Sequence, residues 1–230
     1  MKRSIKIIVL FLTLLLLYAC FKPQVSEQFY PTQLNNNWEY ERKTYYPFSV
    51  DTIIVSINKI ISNDSLPTSE VAVQGWRKEN YTSKYSTLLF SNENGLNYTG
   101  FSYYDSIGIH EPQLVYKFPV EIGESWVVKE YNLSKSPPYY SGISERYKYS
   151  CVATDEIFVS GVDTFLTTVY HHCSLWAGHM FHAHYFEYLS YGIGNIGTEI
   201  YYSEDTTYTY SERKNEDLHF SERLIDYCLY

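Results

Sequence analysis

Residues 146–173 read RYKYSCVATDEIFVSGVDTFLTTVYHHC. Tyr147, Tyr149, Cys151 and Ala153 alternate with Arg146, Lys148, Ser150 and Val152. A period of two sends alternate side chains to opposite faces of a strand. Ser160-Gly161-Val162-Asp163 is a turn cluster, and Thr164 to Cys173 returns to strand composition. Strand, turn and strand make an antiparallel hairpin, and the pattern spreads outward from it. Upstream, Trp38 and Tyr40 alternate with Glu39 and Glu41. Asp51 to Ile61 is β-branched and stops at Asn63-Asp64-Ser65-Leu66-Pro67, and Val71 to Trp76 and Tyr81 to Phe90 follow. Asn94-Gly95 predicts a tight turn into Leu96-Asn97-Tyr98. Downstream, Phe181 to Leu189, Thr198 to Ser203, Thr206 to Ser211 and Leu218 to Leu229 bring the count to at least ten strands. Pro137-Pro138 marks a loop. The expected fold is all-β: an antiparallel meander that forms a curled sheet, half-barrel or barrel, because so many strands must curl or close to hide their edges. A two-sheet β-sandwich is the alternative.

The amino terminus has a different character. Lys2, Arg3 and Lys6 precede an apolar run, Ile7 to Ala19, broken only by Thr13, and Leu17-Tyr18-Ala19-Cys20 closes it. These 13 residues fall short of the about 20 that a membrane-spanning helix needs. A basic start, a short apolar run and a small residue before the cut describe a cleaved export signal, and the terminal cysteine resembles the lipobox of bacterial lipoproteins. Residues 1–19 are then the signal peptide, 20–27 a lipidated tether on Cys20, and 28–230 one β-rich domain, or two related lobes of about 28–115 and 116–230. Several acyl chains on Cys20 would supply stable anchoring. By resemblance to lipoprotein sorting, Phe21 in place of Asp favours the outer membrane. The lack of acids before Glu27 favours the periplasmic face over the cell surface.

Without residues 1–19, Lys+Arg falls from 18 to 15 against 26 acids, a formal charge of −11. An acidic chain without a basic block is unsuited to nucleic acid. The 26 Tyr, 12 Phe and 4 Trp suit pleated, half-buried surfaces; clustered on the outside, they would instead suit a glycan or peptide.

One pattern recurs. Tyr30-Pro31-Thr32-Gln33-Leu34-Asn35-Asn36-Asn37-Trp38 aligns with Phe118-Pro119-Val120-Glu121-Ile122-Gly123-Glu124-Ser125-Trp126. Pro begins an extended edge segment, Asn35 or Gly123 takes a left-handed turn, and Trp opens a strand with its ring inward. Together with Tyr116–Trp126 and Tyr191-Gly192-Ile193-Gly194-Asn195-Ile196-Gly197, these segments resemble a group of β-rich lipoproteins of Bacteroidota. Asn35 departs from that pattern, which has Gly there. The resemblance implies a compartment and carries no activity.

Candidates for chemistry are few. Five of seven histidines lie in one short stretch: His171, His172, His179, His182 and His184. His182 and His184 share a strand face about 7 Å apart, and would need a third donor such as His171 or Glu187 to hold zinc. Gly192-x-Gly194-x-x-Gly197 spells a dinucleotide fingerprint, but a strand follows where that motif requires a helix. Across the Gly161 turn, paired residue numbers should sum to about 321 to 324; Cys151 and Cys173 sum to 324, which allows a disulfide. Cys228 reads as buried. No catalytic residue set and no cofactor are expected. The leading expectation is a non-catalytic envelope lipoprotein, attached to the membrane through Cys20, that binds an apolar ligand or envelope protein partner in the concavity of its sheet. Glycan or peptide binding and metal binding through His171, His182 and His184 are the alternatives.

Overall fold

The computed structural model describes residues 29–32, 35–46, 49–61, 72–78, 81–103, 106–131, 143–175 and 182–229. The signal, Cys20 and the tether lie outside the described residues, as do Asn63 to Pro67, Pro137-Pro138 and His179. The described residues form twelve strands: β1 (Asn37–Tyr46), β2 (Ser49–Ile61), β3 (Ala72–Lys78), β4 (Tyr81–Asn92), β5 (Gly95–Tyr103), β6 (Ser106–Lys117), β7 (Ser125–Tyr131), β8 (Ile143–Val159), β9 (Thr164–Leu175), β10 (His182–Ser190), β11 (Gly194–Ser203) and β12 (Leu218–Cys228). They form one antiparallel sheet in the order β6-β5-β4-β3-β2-β1-β12-β11-β10-β9-β8-β7. Each half is a meander of six consecutive strands, and the halves meet where β1 pairs with β12.

The sheet edges, β6 and β7, are joined by residues 118–124, a link that spans about 25 Å at most when extended. The sheet therefore rolls until its edges approach. Trp126 on β7 donates through Nε1 to the Val115 carbonyl of β6 at 3.2 Å. The Tyr170 hydroxyl of β9 donates to the Lys117 carbonyl at 2.7 Å. No ladder joins β6 to β7 among the described residues, so the roll is a curled sheet and stays open. Its inner face buries Trp38, Tyr40, Tyr170 and Leu224, with Phe29 stacked on Phe118 at 4.6 Å.

Several local readings change. The two-residue turn between β4 and β5 is Glu93-Asn94, one residue earlier than expected, because Asn92 pairs with Gly95. Gly95 has φ 128°, and a Cβ there would come within 1.9 Å of the Tyr116 carbonyl. Strand β6 goes unread in the sequence because Gly108 and Pro112 interrupt it; as an edge strand it tolerates a proline. Thr206 to Ser211 is not a strand. It belongs to an excursion with two single-turn 3₁₀ helices, Tyr210–Glu212 and Asn215–Asp217. Arg213 pins this excursion to the outer face: its guanidinium lies 3.6 Å from the Tyr210 ring centroid, bonds Glu199 at 2.8 Å and bonds the Tyr188 hydroxyl. Cys228 is exposed, because it ends β12 rather than continuing its buried stripe.

The β8–β9 hairpin carries a further correction. Near its tip, paired residues sum to 323, as in Val159 with Thr164; irregularities near Ala153 reduce the sum to 321 at Cys151 with Tyr170. Asp155 sits there at φ 56°. Cys151 thus faces Tyr170, Cys173 faces His184 on β10, and both carry free thiols, so the disulfide is not formed. The same irregularities let the hairpin tip cross the outer face of β10–β12, where Phe158 packs on Tyr188 at 4.3 Å and Gly161 donates to the Leu224 carbonyl.

Candidate ligand cavity

Arg42, Glu187 and Glu222 occupy inward positions where the alternation calls for apolar residues. Arg42 continues the period-two set Trp38, Tyr40; Glu222 sits between Phe220 and Leu224; Glu187 follows Tyr185. The registers align them in a row around the inside of the roll. Tyr170 on β9 faces Glu187 on β10, Glu187 faces Thr198 on β11, Thr198 faces Glu222 on β12, and Glu222 faces Arg42 on β1. At one strand spacing per step the row is about 19 Å long. The neighbouring row is His172, Tyr185, Ile200 and Phe220. Because the sheet rolls, Leu89, Leu96, Tyr98, Val115 and Tyr116 of β4–β6 face these rows from across the interior. Between the two walls lies a partly enclosed cavity of about 370 Å³. That is within the usual size range of small-molecule sites, which are mostly apolar with a few placed polar groups.

The polar groups differ in how well they are satisfied. Arg42 pairs with Glu222, whose side chain is only 5% exposed. Burial pushes the Glu222 carboxyl above its ordinary pKa, and the Arg42 guanidinium opposes that rise. The pair also ties the two halves of the sheet together at the β1–β12 seam. Tyr116 donates to Glu187 Oε1 at 2.7 Å. Burial, and then the charge on Glu187, hold the Tyr116 hydroxyl well above its ordinary pKa, so it keeps its proton and remains a donor. Glu187 Oε2 is buried with no hydrogen-bond partner. His172 Nδ1 lies 3.5 Å from it and is equally unsatisfied. The His172 ring is stacked between Tyr149 at 4.4 Å and Tyr185 at 4.3 Å.

Of the histidines singled out in the sequence, His171, His182 and His184 lie on the other side of the sheet. His182 and His184 share the outer face of β10, with ring centroids 6.5 Å apart, while Glu187 belongs to the inner face and cannot join them. His184 has both nitrogens in use: Nε2 donates to the Asp205 carbonyl at 2.8 Å, so Nδ1 accepts from His171 Nε2 at 3.1 Å. Burial, followed by the charges of His184 and His172, lowers the His171 pKa to about 4. Burial likewise lowers His184, against the Asp205 carbonyl, which favours the charged ring. The two rings form a neutral hydrogen-bonded pair. Among the described residues no group of three or more His, Cys, Asp or Glu is arranged to hold a metal ion. Burial raises the pKa of the Cys151 and Cys173 thiols, which disfavours the thiolate. Sequence reasoning missed Arg42, Glu222 and Tyr116 and took Glu187 only as a metal donor. The available signal was a charge at an inward position of an aromatic strand.

No family model matches the chain, and no curated protein does. Two solved structures are similar to it at 11% identity. One, from Bacteroides fragilis, is described as an exported protein with a YmcC-like fold (TM-score 0.38, covering 87% of this chain and 98% of that one). The other, from Parabacteroides distasonis, is described as a lipoprotein (TM-score 0.40, covering 89% of this chain and 100% of that one). Among the described residues no helix is long and apolar enough to cross a membrane.

Proposed function

We propose that this protein is a non-catalytic lipoprotein of the bacterial envelope that holds a small, largely apolar ligand inside its rolled sheet. The observation that carries the binding role is the cavity of about 370 Å³ between the β10–β12–β1 wall and the β4–β6 wall. A rolled sheet built only for support would fill that space with side chains, as protein interiors normally do. The titratable groups in it are arranged for holding rather than for chemistry: Arg42 is spent on Glu222, and the Tyr116 hydroxyl on Glu187. Support for the compartment comes from Leu17-Tyr18-Ala19-Cys20 and the basic start before it. We place the acylated Cys20 in the outer membrane, facing the periplasm. The exposed rings of Tyr46 and Tyr191 lie at opposite ends of the strands and form no cluster with each other.

Two experiments test this reading. Mass spectrometry of the purified membrane fraction should find Cys20 acylated, and Cys20→Ala should release the protein into the soluble fraction. A neutral naphthalene probe should bind at about one per chain and be excluded by Leu96→Trp, which fills the cavity. Binding unchanged in that variant places the probe elsewhere and ends the ligand role.

A further inference from the structure

We propose, on the footing of the acylated Cys20 proposed above, that the tip of the β8–β9 hairpin seats the protein on the phospholipid bilayer that carries its anchor, with Ile157, Val159, Val162 and Leu166 in the apolar layer beneath the headgroups.

An antiparallel hairpin that covers a sheet normally turns apolar side chains inward and polar ones to water. This one is apolar on both faces. Phe158 and Phe165 turn toward the sheet, Phe158 4.3 Å from Tyr188 and Phe165 6.2 Å from Tyr227. Ile157, Val159 and Leu166 turn away and are 67%, 61% and 62% exposed, with Ile157 directly opposite Leu166 in the ladder. Val162, in the turn, is exposed as well. Four of the nine exposed large apolar side chains among the described residues thus share one hairpin, and such clustering marks an interaction surface.

The point where the chain enters the sheet identifies the partner. Phe29 accepts from Gly192 in the β10–β11 turn at 3.2 Å, and the Tyr30 ring lies 5.6 Å from Trp38. Trp38 pairs with Tyr227, against which Phe165 packs. The hairpin therefore lies at the end of the sheet where the tether joins. Cys20 precedes Phe29 by nine residues, so its acyl chains stand no more than about 30 Å from that end. A tether this short makes contact with the bilayer an intramolecular event. Burying one side chain of this size shifts an equilibrium by about tenfold, and several act together here. Tyr191, exposed at the same end beside Phe29, suits the headgroup layer, where tyrosines collect. Charge narrows the partner further. Residues 155–168 contain Asp155, Glu156 and Asp163 and no Lys or Arg, so a neutral lipid surface suits them better than an anionic one. A second copy of the chain would set these acids against like charges across a two-fold contact.

The test reconstitutes the full acylated protein at low density in phosphatidylcholine vesicles whose acyl chains are brominated, a short-range quencher of tryptophan. Val162→Trp should lose most of the fluorescence it adds to the wild-type signal. Tyr46→Trp, at the opposite end of the strands, should lose none. The quenching should be equal at low and high salt and should not rise when phosphatidylglycerol is added. Changing Ile157, Val159 and Leu166 to Ser in the Val162→Trp protein should abolish the quenching while the protein still floats with the vesicles. Acylated protein that floats but leaves Val162→Trp unquenched overturns the seating and leaves the anchor standing. A chain that is neither acylated nor vesicle-bound overturns the anchor, and the seating with it. Quenching that needs phosphatidylglycerol, or vanishes in high salt, overturns the apolar contact. A blue shift in detergent that grows with protein concentration, without quenching by lipid, overturns the bilayer in favour of a second copy. Should Val162→Trp fail to fold, Leu166→Trp reports from the same surface.

Discussion

Tyr30–Trp38 and Phe118–Trp126 are nearly the same local sentence, and the backbone turns left-handed at the same place in each. Asn35 takes φ 73° and Gly123 takes φ 89°, and in each case a strand begins two residues later. Their tryptophans then fare differently. Trp38 is completely buried, its indole donating to the Ile193 carbonyl at 2.7 Å and its ring 5.6 Å from Tyr30. Trp126 is half-buried, with a longer bond of 3.2 Å to Val115. Local sequence sets the left-handed turn in both segments, while rank in the sheet sets burial. β1 lies at the middle, covered by β2 and β12, whereas β7 is an edge.

That contrast can be tested by mutation. Trp38→Ala should cost about 3–5 kcal/mol in denaturant unfolding, as other fully buried large-to-small changes do, and Trp126→Ala about 1–2 kcal/mol. Equal losses would mean that the edge is as well packed as the centre. The seam between the halves should come next. Arg42→Met leaves the buried Glu222 carboxyl without its partner, at a cost of about 3 kcal/mol, and the double change Arg42→Met/Glu222→Met should recover most of it. A double variant no better than the single one would show that the pair does not hold the seam.

The carboxyl-terminal half should also be the acid-sensitive one. His171 is lowered to about 4 in the fold, whereas the unfolded chain takes up its proton near 6.5. Between those values the unfolded state binds more protons, so stability present above pH 6.5 declines as pH falls toward 4. The loss from His171 is at most about 3 kcal/mol, with His184 acting in the same direction. Unfolding free energies of wild type and His171→Gln across that window should converge at low pH; parallel curves would remove the histidine pair from the account. The smallest effects belong to the two left-handed residues. Gly123→Ala should destabilise by about 1 kcal/mol, and Asn35→Gly should change stability by a few tenths, since asparagine already tolerates that backbone. A larger cost at Asn35 would mean that its side chain, not its φ, is what the segment needs.

Much of the fold was legible because period-two alternation and turn residues are local signals. Residues 146–173, the Gly161 turn and the left-handed Asn35 and Gly123 are where the sequence puts them. The misreadings come from non-local causes. Thr206 to Ser211 has strand composition, but Arg213 and Glu199 hold it as a cap over the sheet. Cys151 and Cys173 satisfy a uniform hairpin register that the irregularities near Ala153 break. The cavity was legible only in outline, as a concavity without named residues. Arg42, Glu187 and Glu222 stand on different strands, and no spacing along the chain shows that they share one row.

The sequence by itself determined an antiparallel, tyrosine-rich β chain, its turns and its alternating faces, because those depend on backbone preference and the two-residue repeat. Only the tertiary structure decided how far the sheet rolls, which tryptophan is sealed, and that Arg42, Glu187 and Glu222 share one inward row. These depend on which strands become neighbours, and the registers of β9–β12 and β1 settle that across separations of up to 191 residues, from Asn37 to Cys228.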